Sequence, residues 1–184
     1  MWGRKAANAE KLYGAIVAQA RLAKFYRDFA VPDTLEGRFL VLSLHLFAVL
    51  HRLKAEGVAA SGLAQNLTSR FMQDMETVLR ELGVGDLAIP KRIRGLAASS
   101  ASLLQGYEEA LAKGEPAVAD AIAAAFSVKD PAVKAATGRL AHHLRQMTDT
   151  LAGQSLPSLA AGQVTFAGNA PGDESGADLH ENRG

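Results

Sequence analysis

The 184-residue chain contains no cysteine, which excludes disulfides and thiolate metal sites. Aromatic residues make up only 6% of it, and runs of β-branched residues are scarce, so there is little material for a sheet core. Charge of one sign is lacking too. The formal net charge is +1, and such a chain has no overall field to hold it on nucleic acid or on an anionic membrane. Long hydrophobic runs are also missing. The most apolar stretch is GRFLVLSLHLFAVLHRL, Gly37 to Leu53. As a helix, the thirteen residues between Arg38 and Arg52 span about 20 Å, against the ~30 Å of a bilayer core. The basic start of the chain has no apolar segment behind it. Neither a secretory signal nor a transit peptide is expected, because helical patterning sets in near Ala9.

What is present is a globular balance of 48% apolar and 21% charged residues. Ala and Leu dominate, and both favour helices. Leu12, Ile16, Val17, Ala20 and Ala23 recur at helical spacing and predict a first helix over residues 9–29. Pro32 interrupts it. Asp33 suits an N-cap, with Glu36 three residues on, so a second helix is expected from there to about Glu56. Its apolar residues fall on two faces, which marks a central helix of a bundle. Arg38, His45 and Arg52, seven apart, form a narrow polar stripe expected to face solvent or a partner. Further helices are predicted at Leu63–Leu82, with Gly83 after its end, and at Pro90–Lys113, Pro116–Phe126 and Pro131–Leu151, the last with Asp130 as N-cap. The fold class is therefore all-α: one helical domain of about six helices over residues 9–162, with residues 1–8 flexible. Residues 163–184 are rich in Gly, Asn, Pro, Asp and Ser and carry a net charge of −3. They are expected to be a disordered acidic tail, leaving +4 on the body.

Chemical motifs are sparse. His45 and His51 are six apart, and His142 and His143 are adjacent, so neither pair has the i,i+4 spacing of helical zinc ligands. Ordinary surface or edge positions suit them, and no metal or cofactor is expected. The turn GVGD, Gly83–Asp86, lacks the spacing of a phosphate loop. Asp74 and Glu76 diverge on one helix. Two features bear on a partner. Lys91, Arg92 and Arg94 crowd a helix N-terminus, against the macrodipole, which suits equally an acidic or phosphate-bearing partner and a solvated turn compensated by the nearby Asp86. The segment KFYRDF places Phe25 and Tyr26 on different faces, which reads first as a hydrophobic anchor for the turn that follows and otherwise as part of a protein-binding patch.

Four segments together resemble the ubiquinol–cytochrome c chaperone family, bacterial relatives of the mitochondrial factor that assembles cytochrome b into the bc1 complex. They are YGAIVAQAR (Tyr13–Arg21), FYRDFAVPDTLEGRF (Phe25–Phe39), LHLFAVLHRL (Leu44–Leu53) and DMETVLRELGVGDLAIPKRI (Asp74–Ile93). Where the family pattern leads one to expect aromatics after the basic turn, this chain has GLAASSASLLQGY, with Tyr107 alone. The resemblance implies a helical, non-enzymatic assembly factor. Its client would be cytochrome b or another bc1 subunit, and it would work in the cytoplasm at the inner face of the membrane, with the ribosome or membrane surface as further partners. DNA and small-molecule substrates are not implied. Residues Phe25, Tyr26, Arg38, Lys91, Arg92 and Arg94 would make the contacts. Two other classes stay open on the residues alone: an enzyme with a site assembled from His45, Asp74 or Glu76, and an RNA- or ribosome-associated module using Lys91–Arg94.

Overall fold

The computed structural model describes residues 2–125 and 131–167. Those residues form six long helices and two single-turn ones, with no strand among them: α1 (Trp2–Ala20), α2 (Lys24–Arg27), α3 (Leu35–Ala55), α4 (Val58–Glu81), α5 (Ile89–Lys113), α6 (Glu115–Ala125), α7 (Pro131–Ala152) and α8 (Leu156–Ala160). The all-α expectation is met. Helix α3 is the hub, packed against α1, α4, α5 and α7, while α4, α5, α6 and α7 follow one another around it. Its residues Leu40, Val41, Leu44, Leu46, Phe47, Ala48, Val49 and Leu53 are all buried. Among the described residues, no helix is long and apolar enough to cross a membrane.

The first expected helix is two helices. It starts at Trp2, inside the segment expected to be flexible, and stops at Ala20. The chain turns at residues 21–23 and resumes as α2. The Tyr26 hydroxyl donates to the Ala20 carbonyl at 3.1 Å, satisfying one of the carbonyls freed at the end of α1. The turn swings Phe25 into the core. Helix α3 is capped by Thr34, not Asp33: the Thr34 hydroxyl accepts from the Gly37 N–H at 3.1 Å, while Asp33 takes the Arg38 guanidinium at 2.7 Å. Helices α4 to α7 start or end within a few residues of the sequence boundaries, α4 five residues early. Asp130 and Phe126 lie outside the described residues.

The polar stripe of α3 is not a surface feature. Only Arg38 is exposed. Arg52 lies in the seam with α7, donating to the carbonyls of Leu151 at 3.0 Å and Gln154 at 2.8 Å and pairing with Glu56 at 2.6 Å. It thereby satisfies carbonyls at the end of α7. His45 is 1% exposed. Its Nδ1 donates to the Val41 carbonyl at 2.7 Å, which leaves Nε2 as a buried lone pair without a partner. The rings of Phe25, Phe166 and His143 surround it at centroid distances of 5.1, 5.4 and 5.6 Å. His143, expected at the surface, is buried as well, against Phe25 and Phe29. His142, its neighbour, does face out and meets Glu115 at 3.1 Å.

Ordered packing also continues past Gln163. The Gln154 side-chain amide holds the Thr165 backbone from both sides, at 2.7 and 2.9 Å, and Phe166 beyond it is buried on His45. The expected tail therefore cannot begin before residue 168, and residues 168–184 lie outside the described residues.

Two glycines give opposite expectations. A Cβ on Gly37 would overlap the Pro32 carbonyl oxygen in the turn before α3. Gly37→Ala should cost about 2 kcal/mol or more, seen as a lower midpoint in urea denaturation. Gly62, inside α4, has open space around it, and Gly62→Ala should stabilise by about 0.5–1 kcal/mol. A neutral Gly37→Ala would contradict the packing of the Pro32 turn on α3.

The buried histidines set a pH dependence. Burial pushes His45 down to about 3, helped by His143 and Lys24 and opposed by the Val41 carbonyl. Burial, with Lys24 and His142, pushes His143 down to about 4. In the unfolded chain both protonate near the ordinary value of about 6.5. Their contribution to stability is therefore complete above that value and is lost as pH falls from about 6.5 toward 4. The expected loss is about 1.4 kcal/mol per pH unit for each histidine. Unfolding free energies at pH 7.5, 6 and 5 measure this slope, and His143→Gln should roughly halve it. A flat profile between pH 7 and 5 would show that the two rings are not buried neutral.

Candidate functional site

Helix α5 carries small residues where it meets the bundle. Ala97, Ser100, Ala101 and Leu104 follow one another at spacings of three, one and three residues, so they share one face. Opposite them stand large side chains: Phe39, Leu46 and Leu50 on α3, and Phe71 and Met72 on α4. The Phe39 and Phe71 rings lie 6.2 Å apart. Ala97, Ser100 and Ala101, small side chains beside Leu103 and Leu104, face larger ones from two other helices and leave the seam unfilled. The result is an apolar groove of about 150 Å³. The Ser100 side chain lies in its wall, 9% exposed, and its hydroxyl has no partner. Other helical hydroxyls behave differently: Ser43, Ser61 and Thr68 each donate to a carbonyl three or four residues back.

A second cleft of about 280 Å³ continues along α3 and α5, sharing Leu50 and Leu104 with the first. It is the polar end of the seam. His51 Nδ1 lies 3.0 Å from Glu108 Oε1, and Lys54 lies 3.6 Å from the same oxygen. Tyr107 packs on Phe47, which lines this cleft. It is fully buried, with its ring 5.5 Å from Phe47, and burial raises its phenol well above the ordinary value. The seam as a whole can hold a row of apolar side chains, with charged groups at one end only and the Ser100 hydroxyl as the unpartnered polar group in the groove wall.

The six residues singled out from the sequence do not form one cluster. Phe25 is fully buried against His45 and His143, so it is a core residue and not a partner contact. Tyr26 is half-buried and serves as the cap on α1. Arg38 is exposed in its ion pair with Asp33, one residue before Phe39 of the groove. Lys91, Arg92 and Arg94 are exposed on the first turns of α5. Arg94 is three and seven residues before Ala97 and Ala101, so it shares their face of α5, about one turn before the groove. The candidate acid–base residues do not converge either. Asp74 receives the Tyr13 hydroxyl at 2.8 Å, Glu76 pairs with Arg80 at 2.8 Å, and His45 is in the core. Among the described residues, no three side chains of the metal-binding types gather as ligands would.

The groove residues themselves were not singled out from the sequence. The signal was available in GLAASSASLLQGY, as small residues at helical spacing where aromatics were expected. It marks a face of α5 that cannot fill a seam, but not which helices stand opposite.

The groove lies within the segment shared with known proteins. A family model described as ubiquinol-cytochrome C chaperone matches residues 27–166. The chain is 26% identical over 161 residues to the ubiquinol-cytochrome-c reductase complex assembly factor 1 of Xenopus laevis, an alignment that covers 86% of this chain and 80% of that protein. To the protein of the same name from Mus musculus it is 24% identical over 161 residues, and there it spans only 54% of the relative. Among solved structures, the crystal structure of the Cbp3 homolog from Brucella abortus matches with a TM-score of 0.78 and 36% identity, over 89% of this chain and 91% of that one.

Proposed function

The chain belongs to the ubiquinol–cytochrome c chaperone family, and we propose that it acts as an assembly chaperone for the ubiquinol–cytochrome c reductase (bc1) complex by holding newly made cytochrome b without catalysing a reaction. The observation that carries this reading is the open apolar groove between α3, α4 and α5. From Phe39 to Leu50 its α3 wall runs about 16 Å, room for two to three turns of a client helix laid against it. A membrane protein awaiting assembly exposes apolar helix faces that water disfavours. An apolar groove covers such a face for a time and releases it, since contacts of this kind are non-directional and grow with area. A small-molecule site would call for several convergent polar groups. This groove has Ser43, Thr68 and Ser100, and the first two already donate within their own helices. Work at the cytoplasmic face of the membrane that holds the complex fits this role.

The test fills the groove. Ala101 is exposed at its edge, so Ala101→Phe should leave stability within about 0.5 kcal/mol. Tagged chains are purified from gently solubilised membranes of the host, and co-purifying proteins are quantified by mass spectrometry. The expected result is cytochrome b enriched over the other bc1 subunits with the natural chain, and reduced about tenfold with Ala101→Phe. Absence of cytochrome b from the natural chain's partners would overturn the client. Equal capture by the filled variant would overturn the groove.

A further inference from the structure

The corner between α4 and α5 has features that the groove does not use. Leu82 at the end of α4 is 59% exposed, and Leu87 in the connection is 100% exposed. Two residues after Leu87, Ile89 is buried, so it pins the start of α5 to the body and leaves Leu87 projecting. Lys91, Arg92 and Arg94 follow on the first turns of α5, all exposed. None of the three has an ion pair among the described residues. Cations elsewhere are mostly matched: Arg27 with Asp28, Arg38 with Asp33, Arg52 with Glu56, Arg70 with Glu10, Arg80 with Glu76 and Asp86. Residues 82–94 carry three cations against the single acid Asp86, a net of +2, and Asp86 is already paired with Arg80. Glu81, exposed just before the corner, is the other acid nearby. The first turn of α5 has no acidic residue and no side-chain cap.

We propose that this corner docks the protein on an anionic lipid bilayer, with Leu82 and Leu87 inserted among the headgroups and Lys91, Arg92 and Arg94 against the phosphates. Cations at a helix N-terminus oppose the macrodipole, but a layer of phosphates against that turn is favoured by both the cations and the free N–H groups. A fully exposed leucine is disfavoured in water and favoured at the acyl boundary, where apolar area and anionic attraction add. The same chemistry argues against the other anionic surfaces. Single-stranded RNA is held by stacking on aromatic rings, and residues 82–94 contain none. Protein interfaces are centred on aromatic anchors in pockets, whereas residues 82–94 contain no aromatic and Leu87 is fully exposed. Docked in this way, α5 would present its groove face close to the membrane.

The test is co-sedimentation of the full chain with vesicles of phosphatidylcholine alone and of phosphatidylcholine with 30% phosphatidylglycerol. Binding is expected to the anionic vesicles only and should weaken at 0.5 M salt. Each neutralised cation should lower the partition coefficient about fivefold, so Lys91→Gln, Arg92→Gln and Arg94→Gln together should cost about a hundredfold. Leu87→Ser should cost about tenfold, and its exposed position should leave the melting temperature unchanged. No binding to anionic vesicles at low salt would overturn the proposal. So would binding that needs the three cations but is indifferent to Leu87→Ser, because the leucine would then not be inserted among the headgroups and only charge would hold the chain at the surface. None of these outcomes depends on which client the groove accepts.

Discussion

Helix α3 is apolar nearly all the way round, and that single constraint organises the molecule. A helix with one apolar face needs one neighbour, whereas α3 needs cover on every side. Helices α1, α4, α5 and α7 supply it. Three of these contacts are dense. The fourth, with α5, is built from alanine, serine and leucine facing phenylalanine and leucine, so the cover there is incomplete. The groove is thus what remains when a helix that must be surrounded meets a neighbour whose side chains are too small to finish the work. Apolar surface left open in this way is costly in a protein that has no use for it, and here it lies in the segment shared with the chaperone family.

The opposite side of α3 solves a different problem. His45 places a polar ring in the middle of the core, and it is tolerated because Nδ1 has the Val41 carbonyl and aromatic edges enclose the rest. Phe25 from α2, His143 from α7 and Phe166 from beyond α8 meet there. Segments far apart in sequence are thereby tied to one point of α3. Arg52, two turns along the same helix, joins it to the end of α7 through backbone carbonyls. One side of the hub is closed by specific polar and aromatic contacts and the other is left open and apolar. This difference makes α5 the side suited to a partner.

Much of the fold was legible in the chain. Helical spacing, Pro32, Gly83, Pro90 and Pro131 marked most helix boundaries to within a few residues, because these punctuators act through local backbone geometry. The centrality of α3 followed from its two apolar faces. The candidate site was less legible. Phe25 and Tyr26 read alike, as aromatics near a turn, but residues 21–23 send one inward and leave the other at the edge. Arg38, His45 and Arg52 read as one stripe because they share a face, yet they end in solvent, core and seam. Lys91, Arg92 and Arg94 are exposed on the first turns of α5.

The sequence by itself determined the helical class, the central helix, the absence of a spanning helix among the described residues, and the family. Each depends on composition, period or motif, which are properties of residues near one another along the chain. The tertiary structure alone decided which polar residues of α3 are buried, that Phe166 belongs to the core, and that α5 leaves a groove beside Phe39 and Phe71. Periodicity tells which side chains share a face. Whether that face is closed, polar-lined or open depends on the size and chemistry of what packs opposite, and those residues come from elsewhere in the chain.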